Sequence, residues 1–328
     1  MMTAMPNSLG RFRAVLGAGW LLLGLGAWLY ARMKGIPESA ALPVAAAFLI
    51  EFPFYLLPGF QSPRNALAAC GKLRVACILT VSAVAPYLAY ALPSGKFAPV
   101  PFLMLLAIGA AVSFWYLILP ARPVPDALFL IALAAIVLTK VFDRIYPSPI
   151  PRLSISVLGH IMLIRTAALA ILTIRGRIDV EFRFLPTRNE WLTGVSHFAM
   201  LLPVAGTAFW ALGLAKVRPV PLNVALAAGT FLGVLWVIAL SEEFFFRGLM
   251  QQWMEGWTGH ALAALIVTSI LFGSAHLGFH GPFPSWRFAI VAGIAGIFYG
   301  LAWKRARSVQ ASMVTHALTV TLWRVFFQ

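Results

Sequence analysis

The run APVPFLMLLAIGAAVSFWYLIL, residues 98–119, contains no charged side chain. Coiled as a helix at 1.5 Å per residue it reaches roughly 33 Å, enough to cross a hydrocarbon core about 30 Å thick. An uninterrupted apolar segment of that length suits a bilayer and has no use in a soluble core. Working outward, comparable runs fall near 14–31, 40–59, 74–92, 125–142, 153–174, 195–215, 222–253, 259–276, 288–303 and 309–327. Hydrophobic residues make up 61% of the chain and charged ones 11%, with a mean hydropathy of +0.88. Soluble domains average about 45–50% apolar and about 25% charged, so too little polar sequence exists here to clothe a soluble globule. The expected architecture is all-α, a polytopic transmembrane helix bundle of about eleven spans, with no internal repeat. Pro and Gly are frequent within it, as membrane helices allow.

A net charge of +15 raises the question of nucleic acid. The basic residues, however, stand singly or in short clusters between apolar runs, as at Arg64, Lys72 and Arg74, or Lys304, Arg305 and Arg307. That is how loops anchor spans to an anionic leaflet, so the partner is the lipid bilayer and not nucleic acid. Loop charges favour a cytoplasmic N-terminus, with Lys304–Arg307 as the firmest anchor. Arg11 and Arg13 precede an apolar run without a small-x-small cleavage site, which reads as an uncleaved first span. Cys70 and Cys77 form no disulfide framework and no CxxC metal site.

Polar sequence is longest over 175–194, which reads as an interfacial segment held by Phe182, Phe184, Leu185 and Trp191. Residues 1–150 then form N-terminal accessory helices, 151–194 a span plus this polar segment, and 195–328 a core where the chemistry gathers.

Ionisable side chains within spans are expensive and by default functional. Ser241-Glu242-Glu243-Phe244-Phe245-Phe246-Arg247 places three of them within two turns. Glu243 and Arg247, four apart with the acid first, suit an ion pair on one face. Glu242 points about 100° away from Glu243 and is left free to work. His276 closes the next apolar run, and His316 sits inside the last. Glu242 lies 14 residues before Gly256, roughly 21 Å of helix, and His276 17 after Gly259, roughly 25 Å. His316, 8 residues past Ser308, comes out shallower at roughly 12 Å. Helix tilt is able to close that difference.

A carboxylate withdrawn from water is a stronger base, and with an imidazole beside it can activate a water. A second histidine can donate to the oxyanion that forms as water attacks an amide. Other hydrolytic signatures are missing from the sequence: no HExxH, no GxSxG, and no Asp pair, because Asp126, Asp143 and Asp179 lie near loops. A zinc site built from His276, His280, His316 and Glu242 is the metal-dependent alternative, with His280 in a Gly/Pro-rich loop.

Glu242-Glu243-x-x-x-Arg247, Phe272-x-x-x-His276 and then His316, in this order and at membrane-helix spacings, resemble the three motifs of the CPBP family. These are glutamic intramembrane proteases related to CAAX prenyl endopeptidases and the bacterial Abi proteins. The resemblance covers roughly 195–328, and the stretch from Phe184 to Trp191 is similar to the segment that precedes that core. It implies that Glu242 and His276 position the attacking water and that His316 helps form the oxyanion hole. Glu243, Arg247 and Phe272 are then supporting residues. It further implies no metal and no cofactor, and a membrane-associated protein or peptide substrate, lipidated or membrane-anchored. The implied location is a bacterial cytoplasmic membrane.

One position departs from the pattern. The family's third motif carries Asn or Asp four residues after its histidine, where this chain has Val320. Thr319, on nearly the same face, is the candidate substitute donor. Two rival functions stand beside the protease: a non-catalytic membrane protein with an immunity or scaffold role, to which Val320 points, and a proton-coupled transporter. The transporter lacks paired broken helices or repeat symmetry.

Elsewhere, Glu51, Lys140, His160 and Arg165 read as snorkelling or hydrogen-bonded structural groups, with Glu51–Arg165 pairing open for want of a register. His197 and His260 are expected at the interface.

Overall fold

The structure, a computed structural model, describes residues 8–151, 153–176, 182–214, 224–278 and 285–326. Among these residues there is no strand. Helices α1 (Ser8–Lys34), α2 (Glu38–Leu56), α3 (Gln61–Ala69), α4 (Lys72–Ala91), α5 (Pro99–Ile118), α6 (Pro123–Leu138), α7 (Val141–Ile145) and α8 (Val157–Leu169) come first. They are followed by α9 (Arg188–Ala211), α10 (Val224–Gly233), α11 (Leu240–Glu243), α12 (Gln252–Thr258), α13 (Ala261–Ala275), α14 (Ser285–Ala306) and α15 (Val309–Phe326).

Each of the eleven apolar runs centres on a helix. Among the described residues, nine helices are long and apolar enough to cross a membrane. Pro123–Leu138 is apolar but shorter. Helix α15 carries Gln310, Ser312, Thr315, His316 and Arg324 among its apolar residues.

The chain divides into two compact units, Met1–Asp179 and Val180–Gln328. In the first, α4 packs between α2 and α5. Gly109 of α5 sits where a Cβ would come within 2.7 Å of the Ala83 Cβ, the small-residue contact through which membrane helices approach closely. Pairing of Glu51 with Arg165, which sequence left open, is present and fully buried. Arg165 Nε and Nη2 donate to the two Glu51 oxygens at 2.8 and 3.2 Å, and Nη1 and Nη2 donate to Ser82 Oγ and Ser82 O. Phe54 lies under the guanidinium, 4.8 Å from its ring centroid. Asp126 is near a loop, as expected, but buried: Arg175 Nε and Nη2 donate to its Oδ1 and Oδ2, and the Tyr116 hydroxyl donates to Oδ1. Here the ionisable groups satisfy one another, and the unit carries its charges as structure.

The second unit starts differently from the sequence expectation. Residues 188–194, read there as interfacial, are already helical, so α9 begins seven residues ahead of the expected span. The cause is a capping box: Thr187 Oγ1 accepts from the Glu190 N–H, and the Glu190 carboxylate accepts from the Thr187 N–H at 2.6 Å. The same carboxylate accepts from Arg183 and from the Ser308 hydroxyl, tying the start of α9 to the start of α15. Gly194 lets the two helices touch, with Val314 where a Cβ would go, and Thr315 Oγ1 donates to Gly194 O at 3.0 Å. His197, expected at the interface, is instead buried on α9, its Nδ1 bonded to Thr193 O. Burial against the helical bundle overrides its position near a run's end.

The expected single span at 222–253 is, from Val224 on, one helix with two π-helical stretches in it. π-helical stretches Val234–Ala239 and Phe244–Gln251 flank α11, and the Leu240 N–H reaches back five residues to Leu235 O. Such stretches gather at functional sites because they re-aim side chains without breaking the helix. The Glu-Glu pair lies between them.

Candidate active site

Glu243, Arg247 and Gln251 recur every four residues along one face, and all three are buried. Arg247 Nη1 donates to Glu243 Oε1 at 3.0 Å, as the i,i+4 spacing predicts. Its Nη2 donates to Gly296 O on α14 at 2.8 Å, and Gln251 Nε2 reaches Gly300 O one turn further on. The guanidinium also lies over the rings of Phe272 (4.7 Å), Tyr299 (5.4 Å) and Phe246 (5.7 Å). A buried cation thus has one carboxylate, one carbonyl and three aromatic faces around it, which is how an arginine is kept charged away from water.

Glu243 does more than the structural pairing expected of it. Its Oε1 also meets His316 Nδ1 at 2.8 Å. Because that oxygen already accepts from Arg247, the imidazole supplies the proton, and Nδ1–H donates. In the neutral ring Nε2 then carries the lone pair, and it faces Glu242 Oε2 at 4.0 Å. The side chain of Glu242 is 35% exposed, against 4% for His316 and none for Glu243. Adjacent carboxylates therefore divide into one sealed and one accessible.

His316, which ideal helix rise placed shallower than the other two groups, is the histidine in contact with the Glu pair. The π-helical stretch Phe244–Gln251 lies between Glu242 and Gly256, so the depth of Glu242 counted at constant rise does not hold. His276 is one ring away: its Nδ1 bonds to Phe272 O at 2.8 Å, and its ring lies 4.9 Å from that of Phe272. Phe272 in turn meets His316 edge-on at 5.8 Å. Among the described residues no ion pair joins His276 to Glu242. Thr319 Oγ1 donates to Thr315 O of its own helix at 2.8 Å, so its hydrogen is already committed. Among the described residues no group of three His, Cys, Asp or Glu is arranged to hold a metal ion, and His280 lies outside them.

Two participants escaped the sequence reading. Gln251 extends the Glu243–Arg247 row at the same spacing, a signal that was available. Tyr299, stacked on His316 with centroids 4.7 Å apart and planes 13° from parallel, carried none.

Fold and site together define a multi-pass integral membrane protein, all-helical, with a carboxylate–imidazole–guanidinium cluster buried between helices of its second unit. Within that class, residues 224–322 match the family described as Rce1-like, type II CAAX prenyl endopeptidase. The matched segment contains Glu242, Glu243, Arg247, Phe272, His276, His316 and Thr319, and bears out the family resemblance carried by the three motifs. It points to a protease acting on a protein or peptide in a membrane setting. No curated protein and no solved structure matches the chain.

Proposed function

We propose that the chain is a glutamic-type intramembrane endopeptidase, hydrolysing a peptide bond in a membrane-associated protein or peptide without a metal. The observation that carries this reading is the 4.0 Å approach of His316 Nε2 to Glu242 Oε2, with Nδ1 held by Glu243. Two hydrogen bonds of about 2.8 Å span such a gap at roughly 90°, so one water can donate to both groups. Glu242, the accessible carboxylate, then removes a proton as the water oxygen bonds to the scissile carbonyl carbon. Collapse of the tetrahedral intermediate breaks the C–N bond, and the proton passes from Glu242 to the leaving amine.

Glu242, His276 and His316 remain the three reacting groups of this reading. Both imidazoles give Nδ1–H to a fixed acceptor. Neutral, each holds a water at Nε2; protonated, each donates to an oxyanion. The contacts favour His316 as the water holder and leave His276 for the oxyanion, the reverse of what the family resemblance implied.

The test uses wild-type protein in lipid nanodiscs with a quenched fluorescent peptide, farnesylated and ending in a CAAX-type sequence. Glu242→Ala, His276→Ala and His316→Ala should each abolish cleavage while the protein remains folded, and chelators should leave the wild-type rate unchanged. Full activity in Glu242→Ala would sink the reading. A non-catalytic role is the second reading, favoured by Val320 and by the committed hydroxyl of Thr319. On that reading Glu242→Ala complements a deletion strain as well as wild type does.

A further inference from the structure

Among the buried groups of the second unit, Tyr299 stands out because its contacts converge on one catalytic candidate. It lies on α14, 2% exposed, and meets three successive positions on one face of α15. Its backbone carbonyl accepts from Ser312 Oγ at 2.7 Å, its ring stacks on His316, and its hydroxyl lies beside Thr319. Ser312, His316 and Thr319 are i, i+4 and i+7, a single helical stripe.

A hydrogen bond through Nδ1 fixes one point of the His316 imidazole and leaves it free to swing about that bond. A flat ring lying parallel at 4.7 Å closes one face, and the edge-on Phe272 ring crosses its plane at 87°. Tyr299 cannot swing either. Phe272 meets its ring edge-on at 5.7 Å, and the Arg247 guanidinium lies over it. We infer that Tyr299 is a positioning residue for His316: its ring holds the imidazole so that Nε2 faces Glu242. This rests on the hydrolase reading, in which Nε2 holds the attacking water. Misplacing a reacting group by about 1 Å can cost a hundredfold in rate, so loss of a flat support should be felt in turnover before binding.

The experiment compares wild type, Tyr299→Phe, Tyr299→Leu and Tyr299→Met in nanodiscs. Two readouts are taken: peptide-cleavage kinetics, and the 15N chemical shifts of His316, which report its tautomer and its bond to Glu243. Phe keeps the ring and should retain kcat within about twofold. Leu and Met keep an apolar side chain without a flat face, and each should lower kcat by at least about tenfold at unchanged KM and shift the His316 nitrogens. The pair guards against one variant failing to fold. The inference is overturned if Leu and Met keep kcat within twofold or leave the His316 shifts unchanged. It is also overturned if Phe loses as much as Leu, since the hydroxyl would then be the acting group. Glu242→Ala runs alongside. Should wild type itself not cleave, the hydrolase reading fails, and the His316 shifts alone decide whether Tyr299 holds the ring.

Discussion

Removing the Glu243 carboxylate should cost this protein twice, once in stability and once in rate. Its Oε1 is the anchor for both Arg247 and His316, and neither carboxylate nor guanidinium is exposed at all. Glu243→Ala leaves a buried guanidinium with one carbonyl and aromatic faces. Breaking a buried pair by deleting one partner costs about 3–5 kcal/mol in soluble proteins. Within membranes the unfolded reference also finds polar partners, and measured interhelical hydrogen bonds average nearer 0.6 kcal/mol. A full charge with no water to turn to belongs toward the upper scale, so we expect about 2–4 kcal/mol. Removing both charges, as in Glu243→Ala with Arg247→Leu, should restore much of this, because no uncompensated cation remains. The assay is unfolding in mixed detergent micelles across the four corners of a double-mutant cycle. Coupling of at least about 1.5 kcal/mol is expected. Additive effects of the two substitutions would refute the buried-pair argument. For cleavage the double variant should stay dead, since stability returns but the hold on His316 does not.

Three further outcomes follow from named contacts. Gly273→Ala would drive a methyl group to 2.6 Å from the backbone oxygen of Ala289, which cannot rotate away, so unfolding in micelles should show a loss of about 1–3 kcal/mol from forced separation of α13 and α14. Arg165→Leu should destabilise the first unit more than Glu51→Gln does, because the arginine binds both Glu51 and Ser82; limited proteolysis of α2 and α4 is the readout, and equal protection would contradict it. Val320→Asn places an amide one turn beyond His316, where the family has a donor, and kcat should rise by about tenfold or less, since a whole oxyanion donor is worth about 10²–10³. An unchanged kcat would mean that another group already serves.

How far sequence carried the structure depended on the range of each interaction. Apolar runs 20 residues long speak for themselves, and every helix at span length was legible. The Glu243–Arg247 bond was legible too, because both partners sit on one helix and spacing fixes them. The Thr187–Glu190 capping box was equally local, yet the charges around it read as an interfacial segment, which hid the first seven residues of α9. Contacts between helices were another matter. Nothing in the sequence states which face of α15 meets α11, so His316 was placed by counting residues at constant rise. The count to Glu242 also ran through the π-helical stretch Phe244–Gln251, where the rise is not the one assumed. Glu51–Arg165 pairing stayed open for a like reason, a missing register. Tyr299 had no pattern at all, since an aromatic in a span is ordinary and only its neighbour makes it informative.

The two adjacent glutamates gain their difference from what surrounds them. Glu243 lies on the face that meets α14 and α15, where Arg247 and His316 saturate one oxygen and water is excluded. Glu242, a step of about 100° further round, keeps a third of its side chain accessible and is committed to no hydrogen bond among the described residues. Oε1 of Glu243 is occupied by a guanidinium and an imidazole, and the side chain is sealed from solvent. Glu242, at the edge of the same cluster, keeps its carboxylate open. The sealed acid therefore holds the imidazole, and on the proposed hydrolase reading the open acid takes a proton from the water that this imidazole holds. Swapping the two environments should therefore destroy the chemistry as fully as deleting Glu242 does.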